Sequence, residues 1–144
     1  MKKLKKKTKL ISRGKLIKLL DSIFSRYVRL LKSTKGHCIC KTCNSTVDWK
    51  NIQNWHFVSR KNYKYRWDIN NCFPQCYVCN VLKHWNYQIY TLKMIEMYGK
   101  EKVEEILNDK ELVKISTPEI KEKIEYYTKE VDLLFKNLYG QDNA

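Results

Sequence analysis

The chain has 144 residues, of which 43% are hydrophobic and 12% aromatic, a balance that excludes a disordered chain and suits a single domain with a modest core. Its 29 basic residues against 15 acidic ones give a net charge of +14, an excess that points to a polyanionic partner, above all nucleic acid. No apolar run approaches the ~20 residues of a membrane span. The lysine-rich start leads into Arg13, Lys15 and Lys18 instead of the apolar core of a signal peptide, so a cytoplasmic protein with no membrane partner is expected.

The charge is uneven along the chain. Residues 1–36 carry 13 basic residues and 1 acidic one, residues 37–98 carry 8 and 3, and residues 99–144 carry 8 and 11. Residues 1–14 read as a basic arm ending near Gly14. Leu16, Ile17, Leu19, Leu20, Ile23, Phe24, Tyr27, Val28, Leu30 and Leu31 then recur at helical spacing, which predicts a helix over 15–35 that stops at Gly36. Residues 37–98 predict a different kind of structure. Up to Asn86 they hold all six cysteines, all three histidines and all four tryptophans, with short strands expected around Trp55–Val58 and near Arg66–Ile69 and a helix starting near Cys76–Cys79 and running beyond Asn86. Ile89, Leu92, Ile95 and Tyr98 continue that helix to a break at Gly99. Val103, Ile106 and Leu107 mark a short helix, and Thr117-Pro118 starts the last one, with Thr117 as N-cap and Ile120, Ile124, Tyr127, Val131, Leu134 and Leu138 as its apolar set. The expected organisation is a single domain over 15–144, with C-terminal helices over 99–139.

Cys40-Lys41-Thr42-Cys43 and Cys76-Tyr77-Val78-Cys79 are two C-x-x-C pairs with 32 residues between them. Cytosolic thiols stay reduced, so cysteines in this pattern favour metal over disulfides. Two pairs complete the tetrahedral four-sulfur shell of a structural Zn2+, one per chain, with no open position for catalysis. Cys38 lies close enough to compete as a ligand, and Cys72 reads as a small apolar residue.

His56 falls between the knuckles, in Asn54-Trp55-His56-Phe57-Val58. In a ββα-metal arrangement the second knuckle opens a helix, and a histidine on the first strand faces that helix, where a neutral imidazole can take a proton from water for attack on phosphorus. A divalent cation beside it, Mg2+ or Mn2+, would stabilise the leaving oxygen. Asn80 directly follows Cys79, and its amide oxygen is a suitable hard ligand for that cation. His84, spaced i and i+4 from Asn80 on the predicted helix, is a second candidate ligand. Asn71 could hold the loop between strand and knuckle and so orient His56; read alone, Asn70-Asn71 is a turn. Arg60, Lys61, Lys64 and Arg66, interleaved with Tyr63, Tyr65 and Trp67, suit phosphate contact and base stacking, as do Lys83 and the basic residues Arg13, Lys15 and Lys18.

The pattern Cys40-x-x-Cys43, His56-Phe57, Arg66-Trp67-Asp68-x-x-Asn71, Gln75-Cys76-x-x-Cys79-Asn80-x-x-Lys83-x-x-Asn86 resembles the NinG/Rap recombination endonucleases of lambdoid phages. The likeness covers roughly residues 15–138. It continues through Tyr90, Tyr98-Gly99, Val103 and the helix from Thr117. The knuckles with Cys79-Asn80 are also similar to resolvases of the endonuclease VII type. The resemblance implies an α+β, mostly helical fold with a zinc-stapled ββα-metal (HNH-like, treble-clef) core flanked by helices. It also implies a structure-specific endonuclease acting on branched DNA such as four-way junctions and D-loops, in the host cytoplasm if phage-encoded. By that likeness His56 acts as base and Asn80 takes the catalytic metal. The chain departs from the pattern at Trp55, which stands where many HNH sites carry an acidic metal ligand, and Asp68 or Asp48 is a candidate substitute. Resolvases commonly cut two strands with two active sites, so a homodimer through helix 15–35 or 117–139 is expected. The alternative reading is a non-catalytic zinc-containing module that binds DNA or RNA; a third is a protein-bridging factor docked through the acidic C-terminal helices.

Overall fold

Leu16, Leu20, Phe24 and Val28 are spaced four apart and all buried, so they form one apolar stripe along helix α1, Arg13–Leu31. The computed structural model describes residues 10–140, and residues 1–9 of the expected basic arm lie outside them. The stripe of α1 packs on α5, Thr117–Tyr139. Leu16 and Leu20 meet Ile120 and Ile124 in one cluster, and Leu30 meets Val131, Leu134 and Leu138 in another. The two helices therefore run in the same direction. Tyr27 and Tyr127 join the seam, with the Tyr127 ring edge-on to Phe24 at 5.0 Å.

The residues between these helices build two small antiparallel hairpins and three further helices. Strand β1 (His37–Ile39) pairs with β2 (Thr46–Asp48) in the register Cys38↔Val47. β3 (Gln53–His56) pairs with β4 (Cys72–Gln75), aligning Gln53↔Gln75 and His56↔Cys72. The first knuckle is the loop of the first hairpin, and a bond from the Lys41 N–H to the Pro74 carbonyl, 2.9 Å, ties it to β4. Between β3 and β4 the chain makes the one-turn helix α2 (Tyr63–Arg66) and a 3₁₀ turn at Ile69–Asn71. After Cys76 come a π-helical turn (Val78–Leu82), a tight reversal at His84–Asn86, and helices α3 (Tyr87–Tyr98) and α4 (Lys100–Asn108). A third core, of Phe57, Phe73, Tyr90, Met94 and Val103, joins the second hairpin to α3 and α4. No helix of the described residues is long and apolar enough to cross a membrane.

Several boundaries differ from the sequence reading. α1 starts at Arg13, taking Gly14 inside its first turn, and ends at Leu31 rather than 35, because Lys35 and Gly36 adopt left-handed φ of 49° and 78° that no α-helix accommodates. The second strand lies at Cys72–Gln75 rather than near Arg66–Ile69. The alternation of basic and aromatic residues there imitates a strand, but Asn62 accepts from the Lys64 N–H and Asp68 from the Asn70 N–H, and these local caps turn the segment into helical turns. Pro74 conceals the real strand; it is tolerated because β4 pairs only with β3 and uses the Pro74 carbonyl, not a missing N–H. The last helix is capped one residue earlier than expected. Ser116 and Glu119 form a reciprocal capping box, which Thr117 is one position too late to make. The helix expected from the second knuckle through Asn86 is broken, with φ of 47°, 69° and 48° at His84, Trp85 and Asn86.

Candidate functional site

The four knuckle cysteines come together. Their sulfur atoms all lie within 4.8 Å of one another, three of the four residues being buried, an arrangement that could hold a metal ion such as zinc. Burial opposes ionisation of Cys40, but the N–H groups around it, the Cys76 N–H at 3.3 Å among them, and the Thr42 hydroxyl hold its thiol well below the usual range, at about 6. Burial pushes the Cys79 thiol the other way, up to about 12. A cation is what lets so close a group of sulfurs ionise together. Cys38 is not part of the group: it is buried under α1 and its Sγ donates to the Arg29 carbonyl at 3.1 Å. Cys72 is fully buried in the α1–α5 core, and burial raises its thiol far above the usual range.

Beside this cluster a cleft of about 510 Å3 is lined by Asp21, Asn54, His56, Arg60, Asn80 and Trp85, among others. Successive strand residues point to opposite faces, and Trp55 takes the one turned to α3, its ring 4.1 Å from that of Tyr90. His56, the next residue of β3, lines the cleft together with Asn80 from the turn that follows the second cysteine pair. Its Nε2 lies 2.8 Å from the Arg66 carbonyl. A carbonyl only accepts, so Nε2 carries the proton and Nδ1 is the ring's acceptor. Burial lowers the pKa of His56, with Arg60 adding to that and the Arg66 carbonyl opposing it, so the ring is neutral at pH 7.

Asn71 is almost fully buried, and its side chain spans the loop that precedes Arg66. Its Oδ1 accepts from the Val58 N–H at 2.7 Å, and its Nδ2 donates to the Val58 and Tyr65 carbonyls at 3.1 and 3.0 Å. The loop that carries the carbonyl holding His56 is thus fixed by Asn71. Asn80 lies in the π-helical turn, tied back by its N–H to the Cys76 carbonyl at 2.9 Å. Its Nδ2 donates to Gln53 Oε1, while its Oδ1 is buried with no partner among the described residues. His84 is exposed and is itself the first residue of the helix break, so the i, i+4 spacing that would place it with Asn80 on one helix face is not realised.

The carboxylate in the cleft is Asp21, from α1, and not Asp68 or Asp48, each of which caps its own turn. Asp21 accepts from Arg66 Nε at 2.9 Å and Nη2 at 2.6 Å and from Trp67 Nε1 at 3.0 Å. Sequence reasoning missed it, although its standing as the single acidic residue among residues 1–36 was a signal. The same ion pair engages the Arg66 guanidinium within the protein, so Arg66 is not a free cation. Lys64 is likewise engaged, by Asp109 at 2.7 Å and Glu111 at 2.6 Å. Arg13 reaches the Ile115 carbonyl at 2.6 Å, joining the starts of α1 and α5. Lys15, Lys18, Arg60, Lys61 and Lys83 are exposed. Lys18, Arg60 and Lys61 line a further cleft of about 440 Å3 that shares Asp21, Ser59 and Arg60 with the His56 cleft, giving it a basic rim.

These features define a mostly helical α+β protein with two small sheets, a four-cysteine cluster fit for zinc, and a polar, basic-rimmed cleft beside it. Over residues 1–137 the sequence matches the model of the family described as Bacteriophage Lambda NinG protein, and the chain belongs to the NinG family. No curated protein and no solved structure matches it.

Proposed function

We propose that this NinG-family chain is a metal-dependent endonuclease of the HNH type that hydrolyses phosphodiester bonds in branched DNA. The observation that carries the reading is the pairing, in one cleft, of a neutral His56 whose Nδ1 is a proton acceptor with an Asn80 Oδ1 that is buried and partnerless. A buried polar oxygen without a partner is costly, and a bound cation is one way to satisfy it. Asn80 would hold Mg2+ or Mn2+, which would supply charge stabilisation at the scissile phosphate. His56 Nδ1 takes a proton from water as the water oxygen bonds to phosphorus and the bond to the leaving oxygen breaks. Lys18, Arg60 and Lys61 hold flanking phosphates. In this reading the knuckle ion is zinc and structural: it fixes the turn that carries Asn80 and the loop tied to β4, completing a treble-clef ββα-metal core. Two chains, each with one such cleft, would cut the two strands of a junction in the cytoplasm of an infected host.

A second reading, a non-catalytic zinc module that binds DNA or RNA, is favoured by Trp55. It fills with a core aromatic the place where many HNH sites have an acidic ligand, and among the described residues only the cysteines form a cluster of three or more such metal-binding side chains. Cleavage of a labelled four-way junction and a matching linear duplex, with Mg2+ or Mn2+, by the wild type and His56→Ala separates the two. Junction-selective cuts lost in the variant are expected. Tight junction binding by folded, zinc-loaded protein without cleavage under either ion would select the binding module.

A further inference from the structure

Three of the four tryptophans are packed. Trp49 and Trp67 are buried, and Trp55 lies among the rings of Tyr87 and Tyr90. Trp85 is 57% exposed. Its display is built, not left over from folding. His84, Trp85 and Asn86 are three consecutive residues other than glycine in the left-handed region, a conformation that is costly for each and persists only where the surroundings impose it. The fully buried Gln75 imposes it here. Its Nε2 donates to the Trp85 carbonyl at 2.7 Å and to Thr42 Oγ1 at 2.9 Å, anchoring the reversal to the first knuckle. The Asn86 N–H bonds the Lys83 carbonyl at 2.9 Å, and Asn86 Nδ2 reaches Cys79 Sγ at 3.8 Å, anchoring it to the second. Both knuckles thus hold one exposed aromatic residue in a fixed place.

That place is the wall of the cleft that contains His56 and Asn80, with Arg60 also lining it and the exposed Lys83 and His84 next to Trp85 in the chain. Resting on the nucleic-acid reading above, we infer that Trp85 is a base-stacking residue that sets the preference of this site for a branch point over continuous duplex. A base in a continuous duplex has both faces covered by its neighbours. A base at a branch point, or in a single strand leaving it, has a free face on which an indole can stack, and such stacking is tolerant of sequence. Arg60 and Lys83 hold the phosphates on either side. Trp85 is thus a specificity-determining residue, separate from the proton chemistry of His56.

The test is equilibrium binding, with no divalent ion added, to a four-way junction carrying 2-aminopurine at the branch point and to the matching duplex. The proteins are zinc-loaded full-length wild type, Trp85→Phe, Trp85→Leu and Trp85→Ala. Trp85→Leu keeps apolar bulk at the strained position, so it guards against loss of folding. Wild type is expected to prefer the junction and to change the 2-aminopurine fluorescence. Trp85→Leu and Trp85→Ala should bind the junction about tenfold more weakly, the size of one lost stack, with duplex affinity unchanged and the fluorescence response gone. Trp85→Phe should recover most of both. Junction preference retained in Trp85→Leu would overturn the inference and leave the nuclease reading intact. Equal weakening on junction and duplex would overturn it too, as would conversion of a dimer to a monomer by Trp85→Leu, which would make the indole a contact between copies of the chain. Wild type that binds neither substrate would overturn this inference and the nucleic-acid reading together.

Discussion

The α1–α5 frame and the segment between them from His37 to Asn86 are held by different physics. The frame is held by an apolar seam: Leu20, Phe24, Val28 and Ile120 are almost fully buried, and the start of α5 is finished by the Ser116–Glu119 capping box. The central segment has hairpins of three and four residues per strand, and its most buried positions include Cys38, Cys40, Cys72, Cys79, Asn71 and Gln75. Short hairpins are marginal alone in water; here Trp49, Ile52, Trp67 and Cys72 dock the segment on the frame, and Phe57 and Phe73 pack with α3 and α4. What they have and the frame lacks is the cysteine cluster and polar side chains that reach across loops: Asn71 to Val58 and Tyr65, Gln75 to Thr42 and Trp85. The lesson is a division of labour. A frame built by helix packing tolerates small changes gradually, whereas a centre that adds a four-cysteine cluster fit for a metal and a few polar links is expected to be lost more sharply.

The largest effect is expected from depriving the four cysteines of metal. Structural zinc contributes about 10–16 kcal/mol to folding in zinc-finger peptides, so chelation or Cys76→Ser is expected to abolish the order of residues 37–86. The check is circular dichroism: the near-ultraviolet signal should fall while much of the helical far-ultraviolet signal survives. A fully helical and fully packed apoprotein would mean that the two regions are not independently held. In the frame, Ile120→Ala should cost about 2–5 kcal/mol in urea unfolding, as for other buried large-to-small changes, with zinc content per folded molecule unchanged.

The pH dependence sharpens the same contrast. Burial favours the neutral form of His56, so its pKa in the folded protein lies below the ordinary 6.5. The stability tied to this group is present above 6.5 and is lost as pH falls through the lower folded value. The cleavage rate should follow the same direction, flat at neutral pH with an acidic limb centred below 6.5. An acidic limb centred above that value would remove His56 from the role of base. The smallest effect separates free from engaged cations. Lys61→Ala should reduce the log–log salt slope of duplex binding by about 0.9, one phosphate contact. Lys64→Ala should leave it unchanged, because that ammonium is bound to Asp109 and Glu111.

The frame was legible in the sequence because its signal is periodic: the four-residue spacing from Leu16 to Val28, the apolar set from Ile120 to Val131 and the step at Gly99 all appear in the structure as read. The cysteine pairs were legible because spacing alone specifies a four-sulfur shell. The first hairpin escaped because three-residue strands carry no measurable alternation, and β4 because Pro74 stands inside it. The break at His84–Asn86 has no glycine or proline to announce it; it is imposed by Gln75, ten residues away from Trp85 in the chain. Nor does any local pattern reveal that Asp21 pairs with Arg66 across a separation of 45 residues, which is why two cations read as DNA contacts proved to be engaged within the fold.

His56 and Asn80 are proposed to serve one reaction. Single-turnover cleavage of a four-way junction by wild type, His56→Ala, Asn80→Ala and the double variant, all with verified zinc content, tests it directly. Groups that act as a unit are strongly non-additive. Each single variant should lose about a hundredfold or more, and the double variant should be little slower than the worse single one. Losses that multiply in the double variant, or full activity in either single one, would contradict a shared centre in this cleft.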